Sequence, residues 1–119
     1  MGIKRFEDII AWQKAHELAK SVYVQFANSR DFGFRDQLQR AAVSIMNNIA
    51  EGFERDGDRE MRRFLFIAKG SAGEVRSMMY LAESLGYMDS PACRACSAQA
   101  EEISRMLAGF IRNSDSAIE

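Results

Sequence analysis

Between residues 40 and 55 the chain reads Arg40-Ala-Ala-Val-Ser-Ile-Met-Asn-Asn-Ile-Ala-Glu-Gly-Phe-Glu-Arg55. Ala42, Ile45, Ile49 and Phe53 recur at spacings of three and four, the period of one helix face. A second series, Arg40, Ser44, Asn48, Glu51 and Arg55, keeps the same period and is polar throughout. One helix therefore carries an apolar stripe and a polar stripe side by side. Small Ala residues and Gly52 flank the polar one, which lets a second helix come close. This stretch decides the fold class, because a helix so patterned has to be packed against other helices.

Working outward, the chain supplies three partners. A first helix is predicted over about residues 8–28, with Asp8 as N-cap and Ile9, Trp12, His16, Ala19, Tyr23 and Phe26 on one face. Phe6 is placed to fold back on its first turn as a hydrophobic staple. Asn28 to Phe34 forms the first joint, and Phe32 and Phe34 are expected to cover one end of the core. The second helix takes about residues 35–55. Asp56-Gly57-Asp58 is the next joint, with Asp58 expected to cap the third helix. That helix, over about residues 59–85, shows Phe64, Ala68, Ser71, Val75, Met78, Ala82 and Leu85 in heptad-like alternation. Gly70 and Gly73 sit inside it at a cost of about 0.5–1 kcal/mol each, which implies close approach of a neighbour. Gly86 ends that helix. A fourth, over about residues 91–113, opens with Pro91 and lines up Cys93, Cys96, Ala100, Ile103, Leu107 and Phe110; the polar tail beyond it is expected to fray. The four together predict an all-α domain over residues 1–119, an antiparallel up-down-up-down four-helix bundle.

Composition narrows the function classes. The chain has 119 residues, 47% hydrophobic and 28% charged, with one proline and a net charge of −1. That is globular composition, and it lacks any basic tail or block that would argue for nucleic acid unaided. No apolar run approaches the roughly 20 residues of a membrane span, and the N-terminus lacks the apolar core of a signal peptide. Cys93 and Cys96 then read as reduced thiols, and the protein as soluble and cytoplasmic.

Several motifs point to one family. Phe6-Glu-Asp-Ile9 and Trp12-Gln-Lys-Ala15 open the chain, Gln39-Arg-Ala-Ala-Val-Ser-Ile45 and Asn48-Ile-Ala-Glu-Gly-Phe53 come next, and Ala68-Lys-Gly-Ser-Ala-Gly-Glu74 and Leu85-Gly-Tyr87 come later. Taken together, from about Phe6 to Phe110, the chain resembles the four-helix-bundle proteins encoded in intervening sequences of bacterial 23S rRNA genes. That family is similar in turn to the accessory variability determinant of diversity-generating retroelements. The resemblance implies a homo-oligomer, a pentameric ring or barrel. It also implies a role in binding RNA or DNA, or a nucleic-acid-handling partner such as a reverse transcriptase-like protein, with no enzymatic activity. No cofactor is expected.

The residues that could carry chemistry divide into a few groups. Arg40, Asn48, Glu51 and Arg55, with Ser71 and Glu74 of the third helix, read as a structural polar network that sets helix register. The rival reading is a small-ligand or catalytic site built on Glu51 and Glu74. A di-metal bundle site needs Glu-x-x-His pairs, and His16 is the one histidine, so no metal site is expected. Cys93-Arg-Ala-Cys96 has C-x-x-C spacing but lacks the two further ligands of a zinc site and the βαβ setting of a redox pair, which leaves core thiols. No Ser or Cys nucleophile stands at motif spacing from His16, so no catalytic residue is assigned. Arg59, Arg62, Arg63, Lys69 and Arg76 lie along the third helix and are the candidate nucleic-acid contacts; Arg62, Lys69 and Arg76 share a face. Repeated by ring symmetry, a modest basic stripe becomes a continuous positive surface. Met46 and Met79 fall off the main stripes and are expected at the subunit interface. A purely structural or protein-interaction module is the alternative to the nucleic-acid reading.

Overall fold

The computed structural model describes residues 2–118, with side-chain surroundings as far as Asn113. A 3-10 turn, Phe6–Asp8, leads into α1 (Ile10–Gln25), α2 (Phe32–Glu54), α3 (Asp58–Leu85) and α4 (Ser90–Ile118). The fold is all-α with four helices, and no strand occurs among the described residues. Helix α1 touches α2 and α4, and α3 touches α2 and α4, while α1 and α3 do not meet. The 28 residues of α3, at 1.5 Å per residue, make about 42 Å of the 47 Å long axis; the other two axes are 20 and 19 Å. One core runs the length of this stack. Leu18, Leu38, Ile45, Ile49, Met79, Ile103 and Leu107 are its largest fully buried members, each contributing about 1.5–3 kcal/mol by leaving water.

The stripes of α2 and α4 lie where their periodicity put them. Ala42, Ile45 and Ile49 are buried and Phe53 is packed against the core, as are Cys93, Cys96, Ala100, Ile103, Leu107 and Phe110. On α1 the expected Ile9, Ala19 and Phe26 are buried, but Ala11, Ala15, Leu18 and Val22 supply the rest of the inward face, while His16 and Tyr23 are outside. Trp12 is half-buried at the rim, edge-on to Phe6 at 5.3 Å and stacked on His16 at 5.2 Å, so the staple at Phe6 forms. Alanines win the inner face because they let the axes approach, and the aromatic rings are left to seal the edge. On α3 the expected Ala68, Val75, Met78 and Ala82 are buried, but the inward face widens to take Leu65, Ala72 and Met79 as well, while Phe64 and Ser71 are half-buried and Leu85 is exposed. Met79 is core and so is unavailable to a subunit interface; Met46 is half-buried against the core.

The helix ends show which caps operate. Asp8 belongs to the 3-10 turn, so Ile9 stands at the N-cap of α1. Asp31, not the residues just before Arg35, starts α2: its Oδ1 accepts from the Phe34 N–H at 3.1 Å, drawing Phe32-Gly33-Phe34 into the first turn. That turn splits the two phenylalanines. Phe34 points inward beside Phe26 and Tyr87, and Phe32 stays outside under the Arg35 guanidinium. Gly57, at φ +87°, takes the N-cap of α3 and leaves Asp58 inside the first turn. Gly86, at φ +72°, closes α3, and the Tyr87 N–H donates to the Ala82 carbonyl at 2.9 Å. Asp89 caps α4 by accepting from Ala92 N–H at 2.8 Å. The backbone of α4 continues to Ile118 rather than ending at Asn113. The expected fraying concerns side chains outside the described residues.

Of the glycines expected to let a second helix come close, Gly52 does so and Gly70 and Gly73 do not. A Cβ at Gly70 or Gly73 would meet nothing within 4 Å among the described residues. A Cβ at Gly52 would lie 3.1 Å from the Met61 carbonyl oxygen and 3.1 Å from the Phe64 Cβ. Here α2 and the start of α3 cross at backbone distance.

Candidate nucleic-acid interface

The basic residues of α3 fall into two groups. Arg59 and Arg63 stand on the exposed side of its first turns. The Arg63 guanidinium is 3.4 Å from Glu60 and lies 4.6 Å above the Phe64 ring, while Arg55 lies 5.0 Å from the same ring. Arg62, Lys69 and Arg76, seven residues apart, are half-buried along one edge of α3, which at Arg76 faces α4. Arg76 opens onto a groove of about 330 Å³ shared with Tyr80, Glu83, Arg94 and Glu101. The positive row ends there, because Glu83 occupies the next position at the same spacing. Arg94 and Glu83 approach to 4.0 Å, and Arg105 pairs with Glu101 at 3.2 Å.

The polar series of α2 separates into three pairings. Ser44 and Ser71 hydroxyls meet at 2.8 Å across the α2–α3 seam, and Asn48 Nδ2 donates to the Ser44 carbonyl at 2.8 Å and its hydroxyl at 3.0 Å. Gln37 donates to Glu74 at 3.2 Å, a partner that the sequence pattern did not indicate. Arg55 donates to Glu51 at 2.9 Å within α2. Arg40 joins none of these. Glu51 and Glu74 thus belong to separate exposed pairs and do not converge on one cavity.

The remaining candidates have ordinary surroundings. His16 is exposed, 3.7 Å from Glu17. Cys93 and Cys96 are buried, with burial pushing the Cys96 thiol up to about 11 and the Cys93 thiol above its usual range. Among the described residues no three His, Cys, Asp or Glu side chains gather as metal ligands would.

A further surface is not apparent from the sequence pattern alone. Phe66, Gly70, Gly73, Ser77, Tyr80 and Ser84 repeat at four and three residues on the outer side of α3, all exposed, with Ile67 and Leu81 beside them. Phe66 is 55% and Tyr80 67% exposed. The signal is a second heptad series, hidden because the inner series also fits a packed helix.

A model of the family described as 23S rRNA-intervening sequence protein matches residues 7–109. The chain belongs to that family. It is also similar to a crystallised protein of unknown function from the S23 ribosomal protein family of Bacteroides thetaiotaomicron. The two are 23% identical over 85% of this chain and 97% of that one, with a TM-score of 0.80. That likeness concerns the all-α fold. No curated protein matches. In this member of the 23S rRNA-intervening sequence family, Asn48-Ile-Ala-Glu-Gly52 lies beside the α2–α3 seam, with Asn48 donating to Ser44, whose hydroxyl meets Ser71, and Gly52 admitting Phe64. No helix among the described residues is long and apolar enough to cross a membrane.

Proposed function

We propose that the protein is a non-enzymatic cytoplasmic module that works as a homo-oligomer and binds nucleic acid, RNA or DNA, on the assembled surface. The observation that carries this reading is the outer face of α3. Phe66, Ile67, Tyr80 and Leu81 are exposed around two glycines at which an added Cβ would meet nothing within 4 Å among the described residues. A monomer gains little from leaving these four apolar side chains in water, whereas a helix from a second copy would bury them and use the bare glycines for close contact. Short joints and the cyclic order of helix contacts support an up-down-up-down arrangement. The pentameric ring comes from the resemblance. Assembly would bring copies of the Arg62, Lys69 and Arg76 row into one field, and counterion release makes such contacts cumulative. The separate pairing of Glu51 and Glu74 favours this reading over a ligand site.

The test has two stages. Light scattering at micromolar concentration should show an oligomer, and Phe66→Glu should yield a folded monomer. A wild-type monomer would remove the assembly and the charge argument with it. Binding to structured RNA and to DNA should then weaken with added salt, with a slope of about −0.7 to −0.9 per phosphate contact. Arg62→Glu with Lys69→Glu should lower both affinity and slope; unchanged binding would exclude this edge of α3. The same apolar face also fits a reverse transcriptase-like protein partner, and that reading would gain if the protein were monomeric alone but co-purified with such a partner after nuclease treatment.

A further inference from the structure

Beside the α1–α2 seam, away from the α3 basic row, lies a depression of about 490 Å³ lined by Tyr23, Arg40, Val43, Ser44, Asn47 and Asn48. Its chemistry is unusual for this surface. The groove beside Arg76 balances its cations with carboxylates, but this depression holds one guanidinium and no acid. Arg40 forms no hydrogen bond or ion pair among the described residues. Tyr23 offers a ring that is 48% exposed.

Asn48 adds direction. Both of its amide contacts run from Nδ2, one of them to a backbone carbonyl that can only accept. The amide orientation is therefore decided by the network, and Oδ1 is left as an acceptor without a partner among the described residues. A ring face, a free cation and a fixed acceptor within one depression match the three parts of a nucleotide: base plane, phosphate and a base-edge amine.

We propose that this depression is a nucleotide subsite for single-stranded nucleic acid. A base stacks on Tyr23, its phosphate meets Arg40, and Asn48 Oδ1 accepts from an exocyclic amino group. Cytosine satisfies that acceptor through its N4 amine, while uracil presents a carbonyl at the same place. The inference rests on the nucleic-acid reading above but assigns a different surface and a base preference.

The experiment is fluorescence anisotropy of short labelled oligocytidine and oligouridine with the intact protein. Oligocytidine should bind at least about threefold more tightly, the worth of one hydrogen bond made rather than lost. Tyr23→Ala should weaken both by at least about fivefold, the lower end for a lost stack. Arg40→Ala should weaken both and reduce the salt slope by about one phosphate contact. Both side chains are exposed, and matched melting curves would verify that the variants fold. If oligocytidine and oligouridine bind equally and both variants bind like wild type, the subsite is overturned; the broader reading survives if Arg62→Glu with Lys69→Glu still weakens binding. If the wild-type protein binds neither oligomers, structured RNA nor DNA, both readings fall together.

Discussion

Gly52→Ala is the most informative single change, because the structure makes two opposed effects separable. Any Gly→Ala in a helix interior gains about 1 kcal/mol of helix propensity. At Gly52 the new methyl would sit 3.1 Å from both the Met61 carbonyl oxygen and the Phe64 Cβ, and neither of these is the far end of a flexible side chain. Phe64 is further held between the Arg55 and Arg63 guanidiniums, at 5.0 and 4.6 Å. Overpacking of this kind costs about 1–3 kcal/mol. The net expectation is a loss of about 0–2 kcal/mol, which is a poor discriminator alone. Gly70→Ala supplies the control when both changes are made in the Phe66→Glu background, where the outer face of α3 is left without a second copy: its methyl would meet nothing within 4 Å among the described residues and should keep the full propensity gain. Subtracting the two variants cancels propensity and leaves the overpacking term, about 1–3 kcal/mol in favour of Gly70→Ala. Urea unfolding monitored by circular dichroism would measure it. A wide range of protein concentration should be used, so that any contribution of assembly shows as concentration dependence. Equal stability of the two variants would refute the close crossing of α2 and α3 at Gly52.

Two further outcomes concern the ends of the helices and the cysteines. The Tyr87 hydroxyl donates to Asp31 Oδ2 at 2.6 Å, and this bond, with the Phe34 N–H, holds the Asp31 carboxyl below its usual range while raising the Tyr87 phenol. A depressed acid stabilises the fold above about pH 4 and loses that as pH falls through its folded value; a raised phenol stabilises below about pH 10 and loses that as pH rises through its own. The melting temperature of wild type minus that of Tyr87→Phe should therefore be greatest between about pH 5 and 9 and shrink towards both extremes. A difference independent of pH would remove the bond from the account. Cys93 and Cys96 should react slowly with a thiol reagent at about pH 8 in the native protein and quickly in denaturant, because burial raises both thiols. Native labelling at the rate of a free thiol would contradict their place in the core.

What the sequence disclosed depended on whether one stripe or two ran along each helix. On α2 and α4 a single apolar series competes with polar positions, so Ile45, Ile49, Ile103 and Leu107 could be assigned to the core directly. On α1 the expected series is buried at its ends, Ile9, Ala19 and Phe26, but in its middle Ala11, Ala15 and Leu18 take the inside and Trp12 and Tyr23 are left at the rim and outside. Hydrophobicity ranks the side chains; the distance between helix axes selects among them, and that distance is a property of all four helices together. The same limit explains the polar seam. Ser44 and Asn48 were readable as partners within α2, but the contacts of Ser71 and Glu74 depend on the relative height of α2 and α3, which local spacing does not contain. It also bears on α3, where two heptads share one helix. Gly70 and Gly73 have the pattern of a close approach, yet the chain itself leaves them uncovered. Inside one chain the inner heptad takes Leu65, Ala72 and Met79, which leaves Phe66, Tyr80 and the two glycines on the outer face, where the proposed assembly would cover them.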